Sequence, residues 1–232
     1  MGKIIGFSGS PVKNSNTDRL LKQVLENSGQ EYEFIKLSHY NIKPCIACKG
    51  CVEDNTCVVK DDFLEIAEKV RNSDSIVIAS YTPYGIIDGF TKALLERFFS
   101  LHHNGGHLSG KFLVSIVSSI DIDAQKTAHR ALVVESIIEN MKHVEALDIT
   151  GSLPCNTCGR GDICETSAVK ALHGEEATAG SHNCINVENQ DVWKKGKEVG
   201  VKLGKLINRE DEYVPSELTK EVIARMQDIG RK

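Results

Sequence analysis

The sequence predicts an α/β protein in which a doubly wound, parallel sheet of five strands is covered by helices on both faces. Two observations predict this class. Five short apolar runs are almost continuous, as expected of strands buried on both faces. Segments with apolar residues at helical spacing stand between them, and strands that alternate with helices form parallel sheets. A length of 232 residues is enough for one large domain or two small ones.

The first half of the chain supplies two of these strands and two helices. Residues 3–9 form a short apolar run that ends in glycine and serine, which indicates a buried strand. Residues 16–27 carry apolar side chains at helical spacing, and the Asn-Thr pair at the start is placed to cap this helix. A strand at residues 32–37 leads into a cysteine-rich loop, and a helix over residues 62–73 follows the loop.

The middle of the chain repeats the pattern. Residues 75–81 are apolar nearly throughout, and a helix is predicted over residues 90–101. A strand at residues 111–119 is followed by a helix over residues 124–141. A strand at residues 143–150 completes the sheet, so the alternation predicts five parallel strands.

We expect four parts in the chain. Residues 1–151 form the sheet domain, with a cysteine loop at residues 43–60. Residues 152–189 are a cysteine-rich insertion of little periodicity, and residues 190–208 are a closing helix of the sheet domain. Residues 209–232 form a C-terminal helical arm, which either packs on its own domain or crosses to a second subunit. The apolar stripe of this arm consists of Leu218, Val222, Met226 and Ile229.

The composition excludes several classes of function. A net charge of -4 gives no basic surface, so we expect no nucleic-acid partner. No apolar run approaches the roughly 18 residues of a membrane span, so we expect no membrane association. The N-terminus lacks a signal-peptide pattern, and we expect a cytoplasmic protein, in which clustered thiols are more often ligands or redox groups than disulfides. Neither a nucleophile elbow nor a Ser-His-Asp arrangement supports hydrolysis.

The turn after the first predicted strand is rich in small and hydroxyl side chains, and a helix begins directly after it. Backbone N–H groups and the dipole at a helix N-terminus attract a phosphate, and hydroxyl groups add donors without crowding it. The turn lacks the third glycine of a dinucleotide loop and the GK[ST] of a triphosphate loop. It therefore suits a monophosphate held by neutral donors. The candidate residues are Ser8, Ser10, Asn14, Ser15, Asn16 and Thr17.

This turn resembles the FMN-phosphate loop of the NAD(P)H-dependent FMN reductases, a branch of the flavodoxin-like superfamily. The resemblance implies a flavodoxin-like sheet that binds FMN at the carboxyl ends of its strands, beside the first strand. The family's Gly-Ser pair and Ser-Asn-Thr run are matched by Gly9, Ser10, Ser15, Asn16 and Thr17.

A second stretch, YTPYGIIDGFTKALLERF, resembles the family segment that passes the flavin ring. The resemblance places its first residues against the isoalloxazine, where Tyr84 either flanks the ring or is a partly buried turn residue. Lys92 and Arg97 correspond to the Lys-x4-Arg-like ending of that segment, and Ser118 is in place for a weaker contact after the fourth strand. The implied ring residues are Thr82, Pro83, Tyr84, Gly85 and Ile86.

The cysteine loop has the spacing C-x2-C-x2-C-x5-C. Thiolates at such short intervals can surround a metal cluster, whereas zinc sites usually pair two distant CxxC knuckles. A redox dithiol or a disulfide needs two of the four, and cluster-free flavin reductases with a similar loop keep free thiols. Iron–sulfur flavoproteins of the same family carry a compact motif of this kind. This resemblance implies a [4Fe–4S] cluster on Cys45, Cys48, Cys51 and Cys57.

The insertion holds the other four cysteines, with the spacing C-x2-C-x5-C-x19-C. A CxxC pair followed by two more distant cysteines suits zinc or a second iron–sulfur cluster. Unliganded thiols in a long loop are an oxidation liability. We therefore expect one of these two kinds of metal site on Cys155, Cys158, Cys164 and Cys184.

The resemblance as a whole implies an FMN-dependent oxidoreductase that passes electrons between FMN and a [4Fe–4S] cluster. It further implies ferredoxin or NAD(P)H as electron donor, a small molecule or a protein as acceptor, and a homodimer or homotetramer. One alternative is a cluster-free NAD(P)H:FMN or quinone reductase. The other is a zinc-binding interaction domain without flavin. The iron content discriminates the first alternative, and bound flavin discriminates the second.

Overall fold

The computed structural model describes residues 1–229, and the last three residues of the predicted arm lie outside this range. Its five strands form one parallel sheet in the order β2-β1-β3-β4-β5. The predicted sheet is confirmed, with strand ends that agree to within one residue. The strands are β1 Lys3–Ser8, β2 Glu31–Lys36, β3 Ser75–Tyr81, β4 Phe112–Ser119 and β5 Lys142–Thr150.

Seven α-helices are present among the described residues, and one of them, a short helix in the insertion, was not predicted. The helices α2, α3 and α4 cover one face of the sheet, whereas α1 and α6 cover the other. None of the described helices is long and apolar enough to cross a membrane. The helices are α1 Asn16–Glu26, α2 Phe63–Arg71, α3 Gly89–Phe98, α4 Ile122–Ile138, α5 Ala168–His173, α6 Asp191–Ile207 and α7 Glu217–Ile229.

The two apolar cores follow from the alternation of side chains along each strand. In β1, Ile4 packs beneath α1 and α6, while Ile5 and Phe7 pack beneath the helices of the opposite face. All three side chains are fully buried. A sheet covered on both faces leaves its strand ends as the place for a site, and the loops that follow the carboxyl ends of neighbouring strands meet there.

The C-terminal helix α7 packs against α4 of its own domain. Val222 and Thr219 are buried in this contact, whereas Met226 stays about one-third exposed. Within this chain, the arm therefore lies on its own domain. Ile229, the last member of the predicted stripe, lies outside the residues whose side chains are described.

A buried polar network links α7 to the sheet. Ser115 Oγ lies 2.7 Å from His129 Nδ1 and 2.9 Å from His143 Nε2, and His129 Nε2 lies 3.1 Å from Asp148 Oδ1. On the other side, His143 Nδ1 lies 3.2 Å from Ser216 Oγ, just before α7. This Ser-His-Asp contact is not apparent in the sequence, because its members are far apart in the chain. Ser115 is fully buried within β4, so the network is structural and offers no access for a hydrolytic substrate.

Candidate functional site

The phosphate loop connects β1 to α1. Ser15 caps α1: its Oγ accepts a hydrogen bond from Asp18 N at 3.1 Å, and the Asp18 carboxylate accepts one from Ser15 N at 3.2 Å. The expectation that Asn16 or Thr17 caps the helix is therefore wrong, since the cap lies one residue earlier. Gly9 N donates to Ala79 O at 2.8 Å and thereby ties the loop to β3. The first turn of α1 is held in the geometry that presents N–H groups to an anion.

A buried ion pair lies under this loop. Ser8 Oγ donates to Asp18 Oδ1 at 2.6 Å, and Lys36 Nζ lies 2.6 Å from Asp18 Oδ2. Lys36 Nζ also donates to Val12 O at 2.8 Å, inside the loop. The lysine offsets the charge of Asp18, which would otherwise repel a phosphate bound above it. Lys36 was not among the predicted site residues, although a lysine at the end of a buried strand is a signal that indicates a buried partner.

The side chain of Asn16 is hydrogen-bonded to the last part of the insertion, after its fourth cysteine. Asn16 Nδ2 donates to Ile185 O at 2.6 Å, and Val187 N donates to Asn16 Oδ1 at 3.1 Å. Arg19 Nε lies 2.6 Å from Glu188 Oε1 and reinforces the contact. The amide of Asn16 thus holds the insertion, and among the predicted phosphate-site residues the neutral hydroxyls lie on Ser8, Ser10, Ser15 and Thr17.

The predicted ring segment is a tight turn at the carboxyl end of β3. Thr82 N donates to Ser118 O at 3.2 Å, and Thr82 Oγ1 donates to Ser119 Oγ at 2.6 Å, so the turn is fixed to the end of β4. Tyr84 has a left-handed backbone with φ 54°, and its side chain is fully exposed. It is therefore not a partly buried turn tyrosine. Strained backbone of this kind concentrates at ligand sites.

Exposed apolar side chains cluster near this turn. Ile86 is 60 % exposed, and Ile120 and Ile122 in the loop before and at the start of α4 are 54 % and 66 % exposed. The turn itself packs against α4. Together with Tyr84, these side chains offer a flat apolar ligand the kind of surface that binding sites provide.

The four cysteines of the first loop line one cavity. Cys51 and Cys57 are buried, Cys45 is half-buried and Cys48 is exposed, and all four are free thiols. The structure therefore brings together every predicted member of this group. Phe99 and Arg97 line the same cavity, although the resemblance had assigned Arg97 to the segment that passes the flavin ring.

The backbone of the cysteine loop suits an anionic cluster. Ala47 and Lys49 are left-handed, with φ of 51° and 59°, on either side of Cys48. Such a change of hand turns successive N–H groups into a concavity, which is common at iron–sulfur and phosphate sites. Ala47 N donates to Cys45 Sγ at 3.4 Å, and hydrogen bonds to sulfur are one of the means by which proteins tune a cluster.

Arg97 lies at the base of the cavity and is almost fully buried. Its Nη1 and Nη2 lie 2.6 Å and 3.1 Å from the two oxygens of Asp61, and Nη1 also donates to Lys43 O at 3.0 Å. Burial raises the pKa of Asp61, but the hydrogen bonds from Arg97 and backbone N–H groups lower it more, so the carboxylate is ionised. This pair ties the cysteine loop to α3.

No three His, Cys, Asp or Glu side chains of residues 1–229 lie close enough together to hold a single metal ion. The thiolates that bind a four-iron cluster are farther apart than the ligands of one ion, so this observation concerns a mononuclear site. A cluster that is wrapped by a loop brings its own iron and sulfide between the cysteines. The four thiols that line one cavity form the donor set that such a group uses.

The second cysteine group lies in the insertion, and all four of its thiols are free. The short turns at Pro154–Asn156 and Ser181–Asn183 pack against each other, which brings Cys155 and Cys184 into the same region. Arg160 N donates to Cys158 Sγ at 3.4 Å, as Ala47 N does to Cys45 in the first loop. A hydrogen bond from Thr166 lowers the pKa of the exposed Cys164 thiol. The lowered pKa favours the thiolate form of Cys164, and thiolates bind metals.

A cleft of about 330 Å³ lies between α3 and α4, and Ile86 and Ile87, which follow β3, also line it. Ile86 lies at one end, and Glu96, whose Oε2 accepts a hydrogen bond from Cys45 N at 3.3 Å, lies in its wall. Glu135 also lines the cleft, and burial, helped by the charge of Glu139, raises its pKa to about 7. The sequence analysis missed this glutamate, which stands in an ordinary helical pattern.

The sheet order, the phosphate-binding turn after β1 and the loops that converge beside it define the class of flavodoxin-like proteins. Solved structures agree: the chain resembles a flavone reductase with a TM-score of 0.59 at 13% identity, over 92% of this chain and 66% of that one. At this identity the likeness concerns the fold alone. The chain belongs to the NADPH-dependent FMN reductase family, a family of flavin-dependent oxidoreductases, whose model matches residues 2–150.

Curated relatives place the chain in the iron–sulfur flavoprotein branch of this family. It is 37% identical over 98 residues to an iron–sulfur flavoprotein of Methanocaldococcus jannaschii, a match that covers 41% of this chain and 51% of the relative. It is 29% identical over 152 residues to an iron–sulfur flavoprotein of Methanosarcina thermophila, which covers 64% of this chain and 77% of the relative. The chain thus spans about half the length of the first relative and three-quarters of the second.

Proposed function

We propose that the protein passes electrons between FMN and a [4Fe–4S] cluster bound by Cys45, Cys48, Cys51 and Cys57. The observation that carries this proposal is the single cavity lined by all four thiols. The cysteine loop follows β2 and the ring segment follows β3, so both lie at the carboxyl edge of the parallel sheet. Cys45 N donates to Glu96, which lines the cleft between α3 and α4. The names of the relatives support the same reading.

The residues present fit FMN. Backbone N–H groups at the start of α1 and the hydroxyls of Ser10, Ser15 and Thr17 would hold the phosphate. The buried Ser8 hydroxyl donates to Asp18 and would support the loop from below. The turn Thr82–Ile86 would carry the ring, with the exposed Tyr84 beside it and Ser118 at its edge. When bound, FMN supplies the transfer of two electrons as a hydride or of one electron at a time. The chain contributes the position of the ring and an apolar surface that excludes water.

The residues of the first loop fit an iron–sulfur cluster. The four thiols would hold it, and Ala47 N would donate to the Cys45 sulfur. The left-handed backbone on both sides of Cys48 would let further N–H groups face the anionic cluster. When bound, a [4Fe–4S] cluster supplies the transfer of single electrons. The loop keeps Cys51 and Cys57 away from water, and the aromatic ring of Phe99 shields the cavity from one side.

The remaining features extend the proposal. The second cysteine group would hold a second iron–sulfur cluster or zinc. Ferredoxin or NAD(P)H would donate electrons, a small molecule or a protein would accept them, and a homodimer or homotetramer would be the working form. Eight free thiols are consistent with a reducing compartment such as the cytoplasm.

Metal and flavin analysis of protein purified without oxygen tests this proposal. We expect one FMN and about four irons per chain, or about eight if the second group also holds a cluster. Cys57→Ser should lose the first four irons and keep FMN, whereas the matched control Cys158→Ser should keep them. Flavin without iron in the wild-type protein would instead indicate a cluster-free NAD(P)H:FMN or quinone reductase. Zinc without flavin would indicate an interaction domain.

A further inference from the structure

Arg97 is a buried cation in the wall of the thiol cavity. Its guanidinium lies 4.5 Å from the centroid of the Phe63 ring, and its side chain and that of Asp61 are both fully shielded from water. A buried ion pair offers little net stability over a pair of apolar residues, because both charges lose their hydration. The position of this pair therefore calls for a role beyond the stability of the fold.

The hydrogen bonds of Arg97 leave one donor over. Nη1 and Nη2 are engaged by Asp61 and by the carbonyl oxygens of Lys43 and Val59. Nε is buried and has no hydrogen-bond partner among the residues that the structure describes. A buried N–H group without an acceptor is costly, so such groups are rare unless a bound group satisfies them.

The Cys57 sulfur is a neighbour of the Arg97 guanidinium, and both line the thiol cavity. Burial alone would lower the pKa of Arg97, but Asp61 and the neighbouring Cys57 sulfur raise it. Arg97 and Cys57 line the same cavity as the other three thiols. The carboxylate of Asp61 binds the guanidinium at its two Nη atoms, which leaves Nε as the donor free for sulfur.

We propose that Arg97 is the counter-charge of the iron–sulfur cluster and that its Nε–H donates a hydrogen bond to a sulfur of the cluster site, with Cys57 Sγ as the acceptor. This inference rests on the proposed cluster. Hydrogen bonds to sulfur and a nearby positive charge both favour the more negative, reduced state of a cluster. Arg97 therefore makes the cluster easier to reduce.

The test measures the midpoint potential of the cluster in the anaerobically purified protein with its flavin bound. Arg97→Gln removes the charge and the Nε–H, and its potential should be more negative than that of the wild type. Arg97→Lys keeps a charge but loses the fixed Nε–H, and its potential should lie between the two. Arg71→Gln is the matched control, since Arg71 donates to Asn55 O in the same loop without lining the cavity. Its potential should be unchanged.

Removal of Arg97 leaves the buried Asp61 carboxylate unpaired, which strongly destabilises a protein. The double variant Asp61→Asn/Arg97→Met removes both charges and guards against misfolding. A second measurement needs no variant. In wild-type protein with 15N in the arginine side chains, the paramagnetic reduced cluster should show a hyperfine coupling to one guanidinium nitrogen, and this coupling should be absent in Arg97→Lys.

The outcomes separate the two proposals. A wild-type protein without iron overturns the cluster and the role of Arg97 together. A protein that binds iron, but whose potential is the same in the wild type, Arg97→Gln and the double variant, overturns the role of Arg97 alone. A potential that falls equally in Arg97→Gln and Arg71→Gln also overturns it, because net charge would then account for the effect. A negative shift confined to the Arg97 variants, with the nitrogen coupling, supports it.

Discussion

Tyr84 combines a left-handed backbone with a fully exposed aromatic ring. The left-handed conformation costs about 1–2 kcal/mol for a residue with a Cβ, and an exposed ring gains little in return. A ligand that stacks on the ring would explain why an aromatic residue occupies this strained and exposed position. The rest of the turn is well anchored through Thr82, so the strain is confined to the position that faces solvent.

Substitution of Tyr84 should separate binding from stability. In Tyr84→Gly the backbone strain is relieved and the ring is lost, so we expect the free energy of unfolding to change by less than about 1 kcal/mol. The dissociation constant of FMN should rise roughly 2- to 10-fold, because an aromatic contact is worth about 0.5–1.5 kcal/mol. Quenching of flavin fluorescence measures the affinity. Tyr84→Phe keeps the ring and should bind as the wild type; unaltered affinity in Tyr84→Gly would exclude a ring contact.

His143 should make the fold sensitive to acid. Burial, followed by the charge of His129, lowers the pKa of His143 to about 3, whereas the unfolded chain has an ordinary value of about 6.5. The stability that neutral His143 contributes is present above pH 6.5 and is lost as the pH falls from 6.5 towards 3. Each pH unit in this window costs about 1.4 kcal/mol, because the unfolded state takes up a proton that the folded state does not.

Urea unfolding at pH 7, 6 and 5 measures this dependence. The free energy of unfolding should fall less steeply with acid in His143→Gln than in the wild type, although the variant is less stable at pH 7 because it disturbs a buried network. Curves of equal slope for the two proteins would show that another group accounts for acid sensitivity.

Individual site residues differ in how far the sequence predicts them. The phosphate turn and both cysteine groups are local patterns, and the structure brings the first four thiols to one cavity as expected. Lys36 and Arg97 were not recognised in their roles because their partners lie 18 and 36 residues away. Spacing along the chain carries information only for contacts that the local backbone already determines.

The cleft between the helices α3 and α4 contains the carboxyl group of Glu135, whose charged form is disfavoured by burial. The pKa of Glu135 is raised to about 7 from an ordinary value of 4.5, chiefly by burial. Its contribution to stability is therefore complete below pH 4.5 and is lost as the pH rises through 7, the opposite sign to that of His143. Above pH 7 the folded protein carries a poorly solvated charge between two helices.

Glu135→Gln should stabilise the protein at high pH and leave it unchanged at low pH. We expect a higher melting temperature than the wild type at pH 8 and an equal one at pH 4, because the wild-type group is neutral there. Glu198→Gln on the exposed surface of α6 is the matched control and should change little at either pH. A difference that is the same at both pH values would contradict the assigned titration.

The strands and long helices were predictable because each is a long periodic pattern. The helix α5 was not, since it spans six residues inside a segment without periodicity. The packing partner of the C-terminal helix was also not predictable. An amphipathic stripe shows that a helix packs against something, but only tertiary contacts such as the burial of Val222 show against what. Patterns along the chain thus define helices and strands. They do not determine whether a helix packs against its own subunit or against another one.

Across the whole chain, the phosphate turn is joined to the insertion that holds the second cysteine group. Asn16, in the first turn of α1, is held by residues just after Cys184, 169 positions farther along the chain. Because the phosphate turn and the insertion share this contact, ligand binding at one should strengthen the other by the same factor. FMN should therefore bind more weakly to Asn16→Ala, and its measured affinity should become insensitive to Cys184→Ser. Equal effects of Cys184→Ser in both backgrounds would contradict the coupling.

The hydrogen bonds between Asn16 and the insertion also affect how the protein responds to proteolysis. Glu175 and Glu176 are exposed in the middle of the insertion, where a glutamate-specific protease can reach them. A single cleavage there would leave all five strands intact. It would release one end of the segment that is hydrogen-bonded to Asn16 of α1. The flavin would then leave a protein that is otherwise still folded, and the same cofactor, while bound, would slow the cut.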